Sequence, residues 1–597
     1  MPDGSEGFTI SAEMLLSGYA PGDKPRLLIE HYDPDVTVGK LRDILANNGT
    51  LFDRGVPVRL AYDQTQRGTV AQPMTPDLLV LEAHRASRPY AIKEKQDGTI
   101  TEMNARLSRT LAVMYLDWRG EWKLKPLNGI ASAPLLHADG SIHYADGYDE
   151  ASGMWCENVS DLAGLVPDKP IRDEAAAALR LLRGVFATFC FADAETVEDQ
   201  ARGVAVVDIM KPPGKDESGF LAALLTAVCR PSLHLAPGVL LRAAPMSGAG
   251  AGKGLLARYM CIIAFGREPH AVTAGSNAEE LEKRIASELI EGGPTLFLDN
   301  LNSTAFKSDL LASAITERPA RVRVLGRSRM VPLCVASFIV LTGNGLSVSE
   351  DLARRFIAVE LDPGTEDPEA RPFRGDIRAE VKASRSELLA AALTIWRWGR
   401  QTSDIKPGKP LGSFGQWCAW VRDPLLALGC QDPAERVSEA KARDGRRQAV
   451  ADLFVAWWEH HDAVPVTAKD LHDGVRQLAD PQGRGRQFLV ATLDKLTNVR
   501  MAGFVLTRQA PAGKWGAATY ALKNLDGAEK HRDHRGHRGD GTENQLVTLP
   551  YADPMPPYAP DGTPYGPIGV KLPLDPTRRG TILGADAEHS ISSGGPV

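Results

Sequence analysis

Residues 239–265 read VLLRAAPMSGAGAGKGLLARYMCIIAF: a short apolar run, a glycine-rich turn and a longer apolar run. The first run suits a buried strand, and the second is long enough for a helix beginning at Lys253. Between them, glycines free the backbone to turn sharply and to aim successive N–H groups inward. A helix N-terminus behind such a loop adds partial positive charge, and a lysine at its first position adds a full one. Ser247, Gly248, Ala249, Gly250, Ala251, Gly252, Lys253 and Gly254 therefore form a phosphate-binding loop of the Walker A kind. Two positions depart from that pattern. Ser247 stands in place of the first glycine, and Gly254 replaces the hydroxyl residue that would touch magnesium, which removes that metal contact.

Strands and helices alternate from about 200 to 362, the pattern of a parallel α/β core. PTLFLDNLN (294–302) is an apolar strand ending in Asp299, where a Walker B carboxylate would hold Mg2+ beside the phosphates of ATP. The next residue, Asn300, sits where many ATPases keep a base; its amide can orient a water but cannot take its proton. Glu279 and Glu280 are the nearest carboxylates in sequence and read as a solvated helix start. SFIVLTGNGL (337–346) is a third strand, ending in Asn344, whose amide is suited to a water or a γ-phosphate and which by itself reads as a turn asparagine.

SVSEDLARRFIAVEL (347–361) sets Arg354 and Arg355 just ahead of a fourth strand, where a guanidinium can supply transition-state charge to a neighbouring subunit. RPARVRVLGRSRMVPL (318–333) alternates Arg318, Arg321, Arg323, Arg327 and Arg329 with apolar residues around a Leu-Gly turn. The pattern predicts a hairpin with one basic face and no acidic residue to neutralise it, a surface for a DNA backbone.

Outward from this core, 1–24 holds no periodic pattern and reads as flexible, and 25–90 reads as a small α+β module. Residues 91–170 are an accessory region, helical at TEMNARLSRTLAVMYL (101–116) and hairpin-rich around the Asp-Gly steps of 136–153. A helical collar spans 171–200, the ATPase core 201–373 and a helical subdomain 374–437. From 438 to 523 three helices and a hairpin suggest a winged helix, with Thr467 and Asp470 as a capping box and Arg484, Arg486 and Lys495 near phosphates. Trp457 and Trp458 read as packing for its first helix. The tail 524–597, with HRDHRGHRGDG and a proline-rich stretch, reads as disordered, and His531, His534 and His537 within it read as solvated.

Composition sets outer bounds. A chain of 597 residues, 43% hydrophobic and 24% charged, has material for several folded units. No apolar run reaches membrane-spanning length and the start lacks a secretory pattern, which predicts a cytoplasmic chain with no membrane partner. Seven cysteines without a CxxC pair read as reduced core thiols. A net charge of -6 confines any nucleic-acid site to a local patch. Asp33 and Asp35 are the tight carboxylate pair of the first module, but Pro34 between them reads as a turn, so a two-metal primase site is not expected.

Taken in order, SGAGAGKG, LFLDN, the arginine hairpin, TGN and DLARRF resemble the ATPase domains of phage, plasmid and integrated-element primase-helicases, the superfamily 3 branch of AAA+ proteins. The resemblance covers about 170–435. It implies an α/β AAA+ P-loop core with ATP and Mg2+ as cofactors, and a homo-oligomeric ring, usually a hexamer. Such rings work on single-stranded or forked DNA in replication, alongside a primase or replication partner. It further implies phosphate on Lys253, metal on Asp299, a sensor at Asn344 and a finger at Arg354 or Arg355. Gly254 and Asn300 leave a rival reading open, a nucleotide-switched DNA-binding or assembly factor with slow hydrolysis. A defence role for the same motor is a third.

Overall fold

Five parallel strands form the central sheet, in the order Ala271–Thr273, Thr295–Asp299, Phe338–Asn344, Gly238–Ala243, Phe356–Leu361. Parallel pairing requires crossovers, and helices such as Lys253–Phe265 and Ala278–Glu291 supply them. With both faces covered, the strands read as near-continuous apolar runs rather than as alternating ones. Leu241, Phe297, Val340 and Val359 are all fully buried. The computed structural model describes residues 24–525 apart from 31, 65, 95, 97, 161, 163, 201–202, 244–248, 274–276, 302–305, 325–328, 366, 371–374, 437–444 and 511–516. Ser247, Gly248, Arg327, the expected flexible start before residue 24, and the tail with His531, His534 and His537 lie outside the described residues.

The Lys253–Phe265 helix starts on Gly252 at φ 89 and stops on Gly266 at φ 73, both left-handed positions that glycine tolerates. Behind the sheet, helix Arg172–Phe186 packs on helix Arg385–Gln401, and both join the core of the sheet. Their apolar residues form one continuous cluster with Phe220, Phe297 and Trp396.

The N-terminal region has a second core, and its apolar cluster does not stop at residue 90. Strand Arg88–Glu94 pairs in parallel with Arg26–Leu28, and Ile100–Asn104 extends that sheet. Leu107, Leu111, Tyr115 and Trp122 pack into the same cluster as Leu41 and Leu79. Residues 101–104, expected to open a helix, are therefore strand; the helix Arg109–Asp117 begins after Ser108, whose hydroxyl accepts from the Leu111 N–H. Asp33-Pro34-Asp35, expected as a turn, opens the helix Pro34–Asn48 instead, because proline is well suited to a first helical position. The Asp139-Gly140 step does turn a hairpin, joining Leu135–Leu136 to Ile142–His143.

Residues 445–524 form a third core around Leu453, Trp457, Leu489 and Tyr520. Helices Gly445–His461, Asp473–Ala479 and Arg486–Leu496 precede the antiparallel pair Phe504–Gln509 and Thr519–Asn524. Trp457 is fully buried and Trp458 tilts onto Phe504, so both serve packing. The capping box expected at Thr467 is absent. Thr467 ends a short strand and its hydroxyl donates to Asp470 across a turn, while the second helix starts at Asp473 with the His472 ring accepting from Gly474.

One side chain ties the first module to the central sheet. Arg54, 3% exposed, donates to the carbonyls of Leu289 and Ile290 at the end of helix Ala278–Glu291 and to Leu127. Burial pushes its guanidinium down to about 10, and three carbonyls compensate for the lost water. Gly292 has to be glycine beside it, since a Cβ there would stand 2.8 Å from Cζ of Arg54. Arg54→Ala orphans these carbonyls and is expected to cost about 3 kcal/mol in denaturant unfolding, and Arg54→Lys, lacking the planar fork, is expected to restore less than half.

Candidate nucleotide site

Parallel pairing brings the carboxyl ends of three strands side by side: Ala243 is opposite Asn344, and Leu298 is opposite Leu341. Such an edge is where open α/β sheets place ligands. Lys253 leads its helix there, and its Nζ donates to Oδ1 of Asn344 at 2.6 Å. Only 9% of Lys253 is exposed, and burial pushes its ammonium below the usual lysine range, against opposing pulls from Cys190 and Asp299.

Asp299 ends the neighbouring strand. Its Oδ1 accepts from the Thr342 hydroxyl, and its Oδ2 lies 3.8 Å from Nη2 of Arg258. The Thr342 hydroxyl in turn accepts from the Asn300 N–H at 3.1 Å, and Leu301 N donates to the Thr342 carbonyl. Asn300 adopts φ 59, a left-handed position that asparagine tolerates better than most residues. A Cβ at Gly254 would stand 3.6 and 3.8 Å from the two carboxylate oxygens of Asp299, with no other atom of the described residues within 4 Å beyond its own helix and chain neighbours. The structure thus brings together Lys253, Gly254, Asp299, Asn300 and Asn344 from positions far apart in sequence.

Ala249, Gly250, Ala251 and Gly252 lie in the turn that leads into the Lys253 helix. Gly250, at φ 78, would drive a Cβ to 2.7 Å from Cγ of Glu369, and Gly252 would bring one to 3.1 Å from the Phe189 ring. The Cys190 thiol reaches the Ala251 carbonyl at 3.7 Å. Glu279 and Glu280 stay on the exposed start of their helix, paired with Lys283 at 3.3 and 2.8 Å.

Arg354 and Arg355 differ in access. Both pair with Asp351, but the Arg354 side chain is 56% exposed and that of Arg355 only 13%. The Arg355 carbonyl also accepts from the Gly238 N–H, at the start of the central strand.

The arginine-rich segment forms the antiparallel hairpin Ala320–Val324 and Arg329–Leu333. Arg321 and Arg323 are exposed, while Val322 and Val331 are fully buried on the other face. The expected single basic face is smaller than five arginines. Arg318 precedes the strand, and its guanidinium donates to the carbonyls of Leu233 and His234, so it is spent on holding backbone. Arg329 pairs with Val324, which puts its register position in phase with Val331 rather than with Arg321 and Arg323. The buried face rests on the first module, where a Cβ at Gly55 would come within 2.9 Å of Val331 Cβ. In the C-terminal unit Arg484, Arg486 and Lys495 are exposed, the first stacked over Phe488 at 4.7 Å.

Thr342 and Arg258 were not singled out by the sequence. Each had a signal: Thr342 is two positions before Asn344 in a strand and so shares its face, and Arg258 is four positions after Gly254 in a helix.

No family model matches the sequence, and no curated protein matches it. Among solved structures, the chain is similar to an apo form of the NrS-1 C-terminal region, 12% identical over 81% of this chain and 98% of that one, with a TM-score of 0.33. The SCCmec type IV Cch active helicase is 11% identical over 80% of this chain and 98% of its own, with a TM-score of 0.27. The JCV helicase, solved with a phenoxyphenyl acetamide, is 12% identical over 46% of this chain and 68% of its own, with a TM-score of 0.18. No helix among the described residues is long and apolar enough to cross a membrane.

The Thr342 hydroxyl links Asp299 to the Asn300 backbone, and Thr342→Val keeps the shape while removing the link. Urea unfolding of this variant is expected to show a loss of about 1 kcal/mol, because the half-buried Asp299 carboxylate and the Asn300 N–H lose a shared partner.

Proposed function

We propose that this chain is a nucleotide-driven DNA translocase, a P-loop ATPase of the superfamily 3 branch of AAA+, working as a ring of like subunits, six in number. The observation that carries this reading is the convergence of Lys253, Asn344 and Asp299 at the ends of adjacent parallel strands, with Lys253 2.6 Å from Asn344 and the space beside Gly254 facing Asp299. Lys253 would leave Asn344 for the outer phosphates of ATP, and the Asn344 amide would then hold the attacking water. Arg354, the more exposed of its pair, would reach the γ-phosphate of a neighbouring subunit.

Magnesium fits this donor set. The ion commonly binds through one or two carboxylates, substrate phosphates and retained waters, not through an all-protein cage. Asp299 offers one carboxylate facing Gly254, and among the described residues no group of three or more His, Cys, Asp or Glu could form a cage. Asp299 would hold the ion, which when bound neutralises phosphate charge.

DNA would lie on Arg321 and Arg323 and on a winged helix spanning 445–524, whose third helix carries Arg486 and Lys495. A replication setting with a primase partner in a mobile element belongs to the same reading. A second reading, a nucleotide-switched assembly factor with slow turnover, is favoured by Asn300, which offers no carboxylate where a base would stand.

Purified full-length protein is expected to hydrolyse ATP faster with single-stranded DNA and to unwind a forked duplex. Lys253→Ala abolishes both, and Arg354→Ala lowers turnover about 1,000-fold while nucleotide still binds. Arg321→Ala with Arg323→Ala is expected to reduce the salt slope of DNA binding by about 2. Nucleotide binding with neither turnover nor unwinding selects the switch, and no nucleotide binding removes both readings.

A further inference from the structure

Resting on the nucleotide reading above, we propose that Arg258 is a positioning residue, an internal counter-ion that Asp299 exchanges for magnesium. Arg258 lies four residues after Gly254, one helical turn deeper on the same face. Its guanidinium has two carboxylates to choose between: Nη2 is 3.8 Å from Oδ2 of Asp299, and Nη1 is 3.8 Å from Oε2 of Glu268. Neither contact is a close hydrogen bond, so the cation is shared between the two. Its Cζ lies 5.4 Å over the centroid of the Phe297 ring, an aromatic surface that favours keeping the cation beside it.

All three charged side chains are partly shielded, with 27–30% of their surface exposed. Shielding strengthens each pair and makes an uncompensated Asp299 costly before metal arrives. A divalent cation on Asp299 repels the guanidinium, and Glu268 is already in place to receive it. Glu268 also accepts from Arg378, the second residue of helix Ile377–Ala383, at 2.9 Å from Nε. The charge shift at Asp299 is therefore passed through Arg258 and Glu268 to the helical subdomain, which gives that subdomain a direct report of metal-nucleotide binding.

The test uses full-length protein and the fluorescent nucleotide mant-ATP, with magnesium titrated at fixed nucleotide and binding read by fluorescence rather than by turnover. Arg258→Gln removes the competitor and is expected to lower the half-saturating magnesium concentration about fivefold. Glu268→Gln removes the alternative partner, leaves Arg258 on Asp299, and is expected to raise it by a similar factor. Damage to the fold would move both variants the same way, so the opposite signs are the signature, with melting temperatures as a check on folding. Should Arg258→Gln fail to fold, the direction of the Glu268→Gln shift decides. Unchanged curves, or shifts of one sign in both variants, overturn the exchange while leaving the nucleotide site intact. Absence of magnesium-dependent binding in the unmodified protein overturns the nucleotide reading itself.

Discussion

The site depends on three parallel strands ending next to one another. Asp299, Asn344 and the loop leading to Lys253 are separated by long stretches of chain, and only strand order makes them neighbours. That order is held by burial: the strands are apolar on both faces and cannot slip without exposing one of them to polar surroundings. Chemistry at the edge is thus specified by packing in the middle. Thr342 shows the link in one residue, with its backbone in the sheet and its hydroxyl fixing both the Asp299 carboxylate and the turn at Asn300.

Charge in this protein is repeatedly used to hold backbone. Arg54, Arg230 and Arg318 all donate to carbonyls, and the first two are buried without a carboxylate partner among their hydrogen bonds. Such guanidiniums fix loops and helix ends at chosen distances from the sheet, which a purely apolar contact would do less specifically. Lys253 contrasts with them. Its hydrogen bond to the Asn344 amide oxygen is one that a phosphate, carrying full charge, can displace.

Much of this was legible in the sequence because local signals coincide with local structure. The glycine loop, the Asp299 strand and the TGN strand each announce themselves within ten residues or so, and the parallel core follows from their alternation. Long-range matters were not legible. The apolar cluster of the first module runs on to Trp122 because strand Arg88–Glu94 pairs with Arg26–Leu28, a contact that no local pattern reveals. Arg318 looked like part of a basic face because alternation was counted along the sequence; its real partners are carbonyls 84 and 85 residues away. At Thr467, a capping pattern in sequence was satisfied by a turn instead of a helix, since Ser, Thr and Asp stabilise both.

The central claim is most directly tested by a structure of the protein with a non-hydrolysable ATP analogue and magnesium. The expected result is that Lys253 Nζ leaves Asn344 for the β- and γ-phosphates, that the triphosphate follows the loop through Gly252, and that Asp299 faces the ion. A nucleotide bound elsewhere, or Lys253 still on Asn344 with the analogue present at saturation, would contradict it.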